Sequence, residues 1–244
     1  MLKRYFTLLT ILASVVLAQN ADSLIDEAVR LHDSRHIDPA NLDRSYEILQ
    51  SVVAADSNNT RALCELAHVY FTRGDKLTVK KEKIECYKTG AALALRATMV
   101  DDRCVEGHFW RMALTGRIGQ TKGALNSLGL VPEIKKGINR VLELDPRHTG
   151  ALDARAMLYF ELPKMFGGDL DLSLEALNQA LAIDSNYTVI YVDMARVLIK
   201  KKDYERARWF LNRLLEITSP THEADFVQKD KPAGQGLLKE IEGK

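Results

Sequence analysis

His32 and His36 stand four residues apart, the spacing that would put two imidazoles on one helix face as metal ligands. Ser34-Arg35 and Asp38-Pro39 flank the second, so the helix is expected to end between them and leave two solvated terminal histidines. His68, His108 and His148 have no Ser or Cys nucleophile beside them in sequence, and neither a nucleophile elbow nor a zinc-protease helix motif occurs. Lys122 lies among Gly116, Gly119, Gly123 and Gly129, yet a phosphate loop needs Gly directly before the Lys, Ser or Thr directly after it, and a preceding strand. All three are missing. Cys64, Cys86 and Cys104 cannot all pair within one molecule and form no closely spaced ligand set. Each lies on an apolar helical stretch, where a thiol behaves as a small hydrophobe, and one disulfide is the alternative in an oxidising compartment. The expectation is a non-enzymatic protein with no metal and no cofactor.

The elements that must position these residues repeat. Asp56, Asp101, Asp145 and Asp184 each close an apolar helical run, and each is preceded four residues earlier by Val52, Ala97, Val141 or Ala180. Six residues after each Asp comes Ala62, Gly107, Ala151 or Ile190; eleven after comes Ala67, Met112, Ala156 or Ala195. Small residues at such offsets let antiparallel helices approach closely. The pattern predicts an all-α, right-handed superhelical solenoid of antiparallel helix pairs, about ten or eleven helices in all, with no sheet. Two segments interrupt it. Gly116 to Gly129 holds too many glycines for an unbroken helix and reads as a long loop, and Pro163 to Gly168 reads as a turn needing positive φ at Gly, with Asp169 capping the next helix. Gly74 is expected to end the third helix.

In such a stack the first helices of the pairs line a concave surface. This places Arg61, Cys64, His68, Phe71, Phe109, Ala113, Asp153, Met157, Phe160, Val192, Arg196 and Ile199 along a groove suited to a peptide, a partner helix or an organic acid. Arg111 and Arg155 occupy places where the other repeats have Leu66 and Met194. An inward charge there needs a partner, with Glu65, Glu106, Asp153 or Asp193 in reach; a register shifted by one residue would instead put Trp110 and Ala154 inside and both Arg outside.

Ala151, Leu152, Ala156, Tyr159, Ala180 and Ile183-Asp184, with Ile190, Tyr191, Ala195, Ala207 and Leu211, resemble the tetratricopeptide repeat. The Asp anchors lie 45, 44 and 39 residues apart, against the ~34 residues of that repeat, so the connections carry insertions. The loop Pro163 to Asp169, the Gly-rich segment after Phe109-Trp110 and the closing Lys231-Pro232 helix resemble, from about Glu82 onward, the T component of tripartite ATP-independent periplasmic transporters. The related microtubule-regulator repeat proteins share much of this pattern. The transporter resemblance implies a substrate-binding protein as partner and a hydrophobic organic acid as the ligand passed along. An envelope assembly protein with no transport link is the alternative.

Met1-Leu2-Lys3-Arg4, an apolar run from Tyr5 to Leu17 and the exit Val16-Leu17-Ala18 predict a secretory signal peptide over residues 1–18, ahead of a repeat domain over 19–244. The expected location is periplasmic or secreted, without stable membrane insertion after cleavage. Of 34 Lys and Arg, Lys3 and Arg4 would leave with the leader, against 33 Asp and Glu that stay. That balance gives no long-range attraction for nucleic acid. A protein partner and self-association are both compatible with it.

Overall fold

The computed structural model describes residues 20–123 and 127–244; the expected signal peptide lies outside them. The described residues contain helices, turns and no strand. We number the helices α1 (20–33), α2 (Asn41–Ala55), α3 (Thr60–Lys76), α4 (Lys80–Val100), α5 (Val105–Lys122), α6 (Val131–Leu144), α7 (Thr149–Glu161), α8 (Leu170–Ile183), α9 (Val189–Lys200) and α10 (Tyr204–Leu215). The last, α11, runs Glu223–Asp225, passes through a π-helical turn at Phe226–Asp230 and continues as Lys231–Glu240. Helices pack in sequential pairs, α3 on α4, α7 on α8 and α9 on α10, and each pair rests on the next to form a helical solenoid.

The recurring Asp explains how one local sequence builds every pair-to-pair junction. The backbone N–H groups of Asp56, Asp101, Asp145 and Asp184 close the last turns of α2, α4, α6 and α8 on the carbonyls of Val52, Ala97, Val141 and Ala180. Each Asp Oδ1 then accepts the amide two residues on, from Asn58 at 3.0 Å, Arg103 at 2.9 Å, Arg147 at 2.9 Å and Asn186 at 2.8 Å. This Asx turn reverses the chain. One residue later a side chain caps the following helix: Asn59 accepts from the Ala62 N–H, and His148 Nδ1 from that of Ala151.

The small residues do what their spacing predicts. Ala62, Ala67, Ala151, Ala156, Ala180, Ala195 and Ala207 are all fully buried, and Gly107 and Met112 are buried at the matching places of α5. A Cβ on Gly107 would come within 3.0 Å of Thr98 Cγ2 and 3.3 Å of the Ala94 carbonyl, so α5 and α4 touch backbone to backbone there. Gly167 has φ +94°, as its turn required, and Asp169 Oδ1 accepts the N–H groups of Asp171 and Leu172.

Two helix ends differ from the sequence expectation, for packing reasons. Gly74 does not end α3: the fully buried Tyr87 ring of α4 lies over it, leaving no room for a side chain, since a Cβ would overlap Tyr87 Cε1. The expected loop from Gly116 is helix as far as Lys122, because the buried Leu114, Thr115 and Ile118 continue the face of α5 against α4 and outweigh about 1 kcal/mol per glycine. Gly123, at φ +89°, ends the helix instead. A Cβ on Gly116 would meet nothing within 4 Å. Gly116→Ala should therefore raise the urea midpoint, by an amount equivalent to about 0.5–1 kcal/mol; an unchanged or lowered midpoint would mean that α5 is not helical through this point.

Candidate functional site

Helices α1, α3, α5, α7 and α9 present one face to a common inner groove. Along its floor runs a ladder of rings. His32 shares a hydrogen bond with Thr72 Oγ1 (2.9 Å) and meets His68 edge-on with centroids 4.2 Å apart. His68 stacks on Trp110 at 4.0 Å and 18°. Trp110 in turn meets Phe71 at 5.7 Å and Phe109 at 4.9 Å, and Phe109 lies 4.5 Å from His148. Burial, reinforced by the charge of Arg35, pushes the pKa of His32 down and that of His68 far down, so both rings are neutral. His32 is thus buried, not solvated as the sequence suggested: the helix does end after it, but its ring turns inward to Thr72.

The far half of the groove is acidic. Asp153 on α7 faces Asp193 on α9, and Asp230 on α11 stands close by, its Oδ2 accepting from Thr188 Oγ1 at 2.6 Å. Burial first, and then the neighbouring carboxylates, raise Asp153 well above the usual carboxylate range. Burial also raises Asp193, against the opposing pull of Arg196, whose Nη1 donates to it at 2.8 Å. Asp230 is pushed up to about 6, mainly by burial. The Asp153 and Asp193 carboxyls lie close enough to act on each other, and two carboxylates so placed favour the form in which one keeps its proton.

The π turn of α11 spans the groove. Gln228 Nε2 donates to the Arg35 carbonyl (3.1 Å), and the Arg35 guanidinium pairs with Asp225 (2.7 Å). Lys229 Nζ reaches both Asp225 (3.2 Å) and Asp75 Oδ2 (2.9 Å). Asp75 also takes Arg117 (3.3 Å) and the Tyr87 hydroxyl (2.6 Å). Burial alone would raise Asp225; Lys229 and Arg35 overcome it and hold the carboxyl at about 2. The Arg117 guanidinium and Lys229 ammonium lie 4.7 and 5.5 Å from the Phe71 ring centre. The groove is therefore not the open trough its repeat pattern suggested.

The expected groove residues divide. His68, Phe71, Phe109 and Asp153 do come together on the inner face. Met157 and Phe160 follow Asp153 at helical spacing on α7, and Phe160 marks the groove's end, with Lys200 Nζ 4.3 Å from its ring. Arg61 is at the rim, exposed and paired with Asp26 and Asp22 of α1. Arg196 is exposed beside Asp193. Arg111 and Arg155 do not belong to the groove. Each follows an inner residue, Phe109 or Asp153, by two places, and two residues of helix turn the side chain about 200° away. Arg111 instead pairs with Glu133 of α6 at 2.8 Å, none of the partners expected for it, and with 38% of its side chain exposed that pair adds little stability. Arg155 is half-buried and has no ion pair among the described residues.

Sequence reasoning missed Trp110 in its main register, together with Arg117 and the α11 trio Asp225, Lys229 and Asp230. The i, i+4 spacing of Asp225 and Lys229 was the one local sign of a charged helix face.

A family model described as regulator of microtubule dynamics protein 1-3 matches residues 24–166, more than half of the chain. This chain belongs to that family. A tetratricopeptide repeat model matches residues 167–224. Among solved structures, TTC0263 of Thermus thermophilus, a tetratricopeptide protein, superposes with a TM-score of 0.66 at 14% identity, covering 90% of this chain and 99% of that one. Pseudomonas aeruginosa pilF gives 0.50 at 15% identity, over 92% and 95% of the two chains. MamA, from residue 41 to its end, of Desulfovibrio magneticus RS-1 gives 0.50 at 13%, over 79% and 95%. These likenesses are of fold. No protein with a curated description matches the chain. In this family member the inner polar groups mostly engage one another, and the ladder of rings offers apolar contact. That arrangement suits binding.

Proposed function

We propose that this chain is a non-catalytic interaction scaffold that holds a segment of a partner protein in its inner groove. The ring ladder from His68 through Trp110 to Phe109 carries this reading: the three pack against one another on the inner face of the first helices and yet stay only half-buried. Apolar contact with Phe71, Trp110 and Phe109 supplies most of the affinity, and the charged groups around α11 orient the guest. The leader expected from the sequence of residues 1–18 favours an exported protein and hence a periplasmic partner. A substrate-binding protein of a tripartite transporter, with its organic-acid ligand, is the first partner we would test.

The experiment is a pull-down from periplasm with immobilised wild type, Trp110→Ala, Phe71→Ala and, on an outer surface, Lys81→Ala. Truncating a groove aromatic should weaken recovery of one and the same protein by about 30-fold, the effect of an interface hot spot. Lys81→Ala should leave it unchanged. Equal losses from inner and outer variants would overturn the reading.

A further inference from the structure

We propose that Cys64 and Cys104 form a dithiol site that a small-molecule disulfide oxidises to an intramolecular cystine, locking α3 to the start of α5 behind the groove floor. The two Sγ atoms lie 3.5 Å apart, although 40 residues separate them in sequence. Cys64 is buried on α3, whereas Cys104 is half-buried and stands immediately before α5. They share a small apolar cluster with Leu63 and Ala97, and Trp110 packs against it. Cys86 is not part of this cluster; its thiol donates to the Tyr70 carbonyl at 3.4 Å.

Cys104 occupies a particular place in the repeat. It is three residues after Asp101, where Asn59 and His148 receive the N–H of the residue three further on. In Cys104 the side chain at that helix N-terminus is a thiol, and helix N-termini favour thiolates. Contact with the Cys64 sulfur lowers the Cys104 pKa against the effect of burial, and the Gly107 N–H assists. The same contact and burial raise that of Cys64. The geometry sets the division of labour: Cys104, half-buried at a helix N-terminus, is the attacking thiol, and the buried Cys64 behind it is the resolving one.

With oxidised glutathione the steps balance. Cys104 thiolate attacks one sulfur of the reagent, its disulfide bond breaks, and a glutathione thiolate leaves, giving a mixed disulfide on Cys104. The Cys64 thiol gives its proton to solvent and attacks Cys104 Sγ; the second glutathione thiolate departs and the protein cystine remains. Two protein thiols are oxidised and one glutathione disulfide is reduced. The new bond ties the helix carrying His68 to the one carrying Trp110, the two rings that stack in the groove.

The test equilibrates folded full-length protein with oxidised glutathione, counts free thiols, and maps the product by peptide mass spectrometry without reduction. Expected are loss of two thiols, a Cys64–Cys104 peptide pair, a free Cys86, and a rise in Tm of about 10 °C from closing the loop. Cys86→Ser should behave the same way. Cys64→Ala, which conserves a small buried side chain, should stop at the mixed disulfide on Cys104, with a far-UV spectrum confirming the fold. Retention of all three thiols by folded wild type would overturn the proposal, as would a cystine that includes Cys86 or one formed only in denaturant.

Discussion

Arg35→Ala is expected to destabilise the fold by about 3 kcal/mol, seen as a lowered urea midpoint at pH 7. Only 2% of the Arg35 side chain is exposed. It donates to the His32 carbonyl at 2.8 Å and pairs with Asp225 at 2.7 Å, while its own carbonyl accepts from Gln228. One residue thus joins the end of α1 to α11, across 193 positions of sequence. Alanine removes the pair, leaves a cavity the size of a guanidinium and its stem, and strips one of the two cations that hold Asp225 ionised. Lys229 remains beside Asp225 and keeps the loss at the lower end of the range for broken buried pairs. Arg35→Met, which fills the volume without the charge, should cost less than the alanine. A change under about 1 kcal/mol in Arg35→Ala would show that α11 does not hold the two ends of the solenoid together.

That contact marks the boundary of what could be read from the sequence. The Asp anchors were legible because everything they do is local: the C-cap, the Asx turn and the next N-cap all lie close together along the chain, so one pattern specifies them at Asp56, Asp101, Asp145 and Asp184. The small residues at helix crossings were legible for the same reason, since their spacing follows from helical periodicity. The floor of the groove was half legible. His68 and Phe71 share a face at i, i+3, but consecutive Phe109 and Trp110 both reach the groove, so a choice of register between them was never required. Arg111 and Arg155 misled because the place that buries Leu66 and Met194 stays half-exposed in α5 and α7, where Arg111 meets Glu133 of α6. Nothing local announces that α11 returns across the groove, and Lys231-Pro232 gave only the existence of a closing helix. Oppositely charged residues abound in any surface helix, so the pairing of Asp225 with Arg35 had no periodic signature.

Asp153→Asn is expected to raise stability at pH 8 and to have a smaller effect near pH ~4.5. In the folded chain burial and Asp193 hold the Asp153 carboxyl well above its usual range, whereas the unfolded chain titrates near ~3.9. A carboxyl with a raised folded pKa gives its full contribution below the unfolded value. That contribution is lost as pH rises through the folded one, at ~1.4 kcal/mol for each pH unit separating the two. Asparagine cannot ionise. It leaves Asp193 as an anion beside Arg196. Asp153 Oδ1 has no hydrogen-bond partner among the described residues, so the substitution breaks no other bond there. Glu65, raised by burial to about 7, titrates in the same region and shapes the absolute profile. Its contribution is common to both proteins and cancels in the difference between variant and wild type. The stability difference measured by urea unfolding should therefore grow as pH rises above the unfolded value of ~3.9 and level off above the folded one. A flat difference would mean that Asp153 ionises as a solvated carboxylate does.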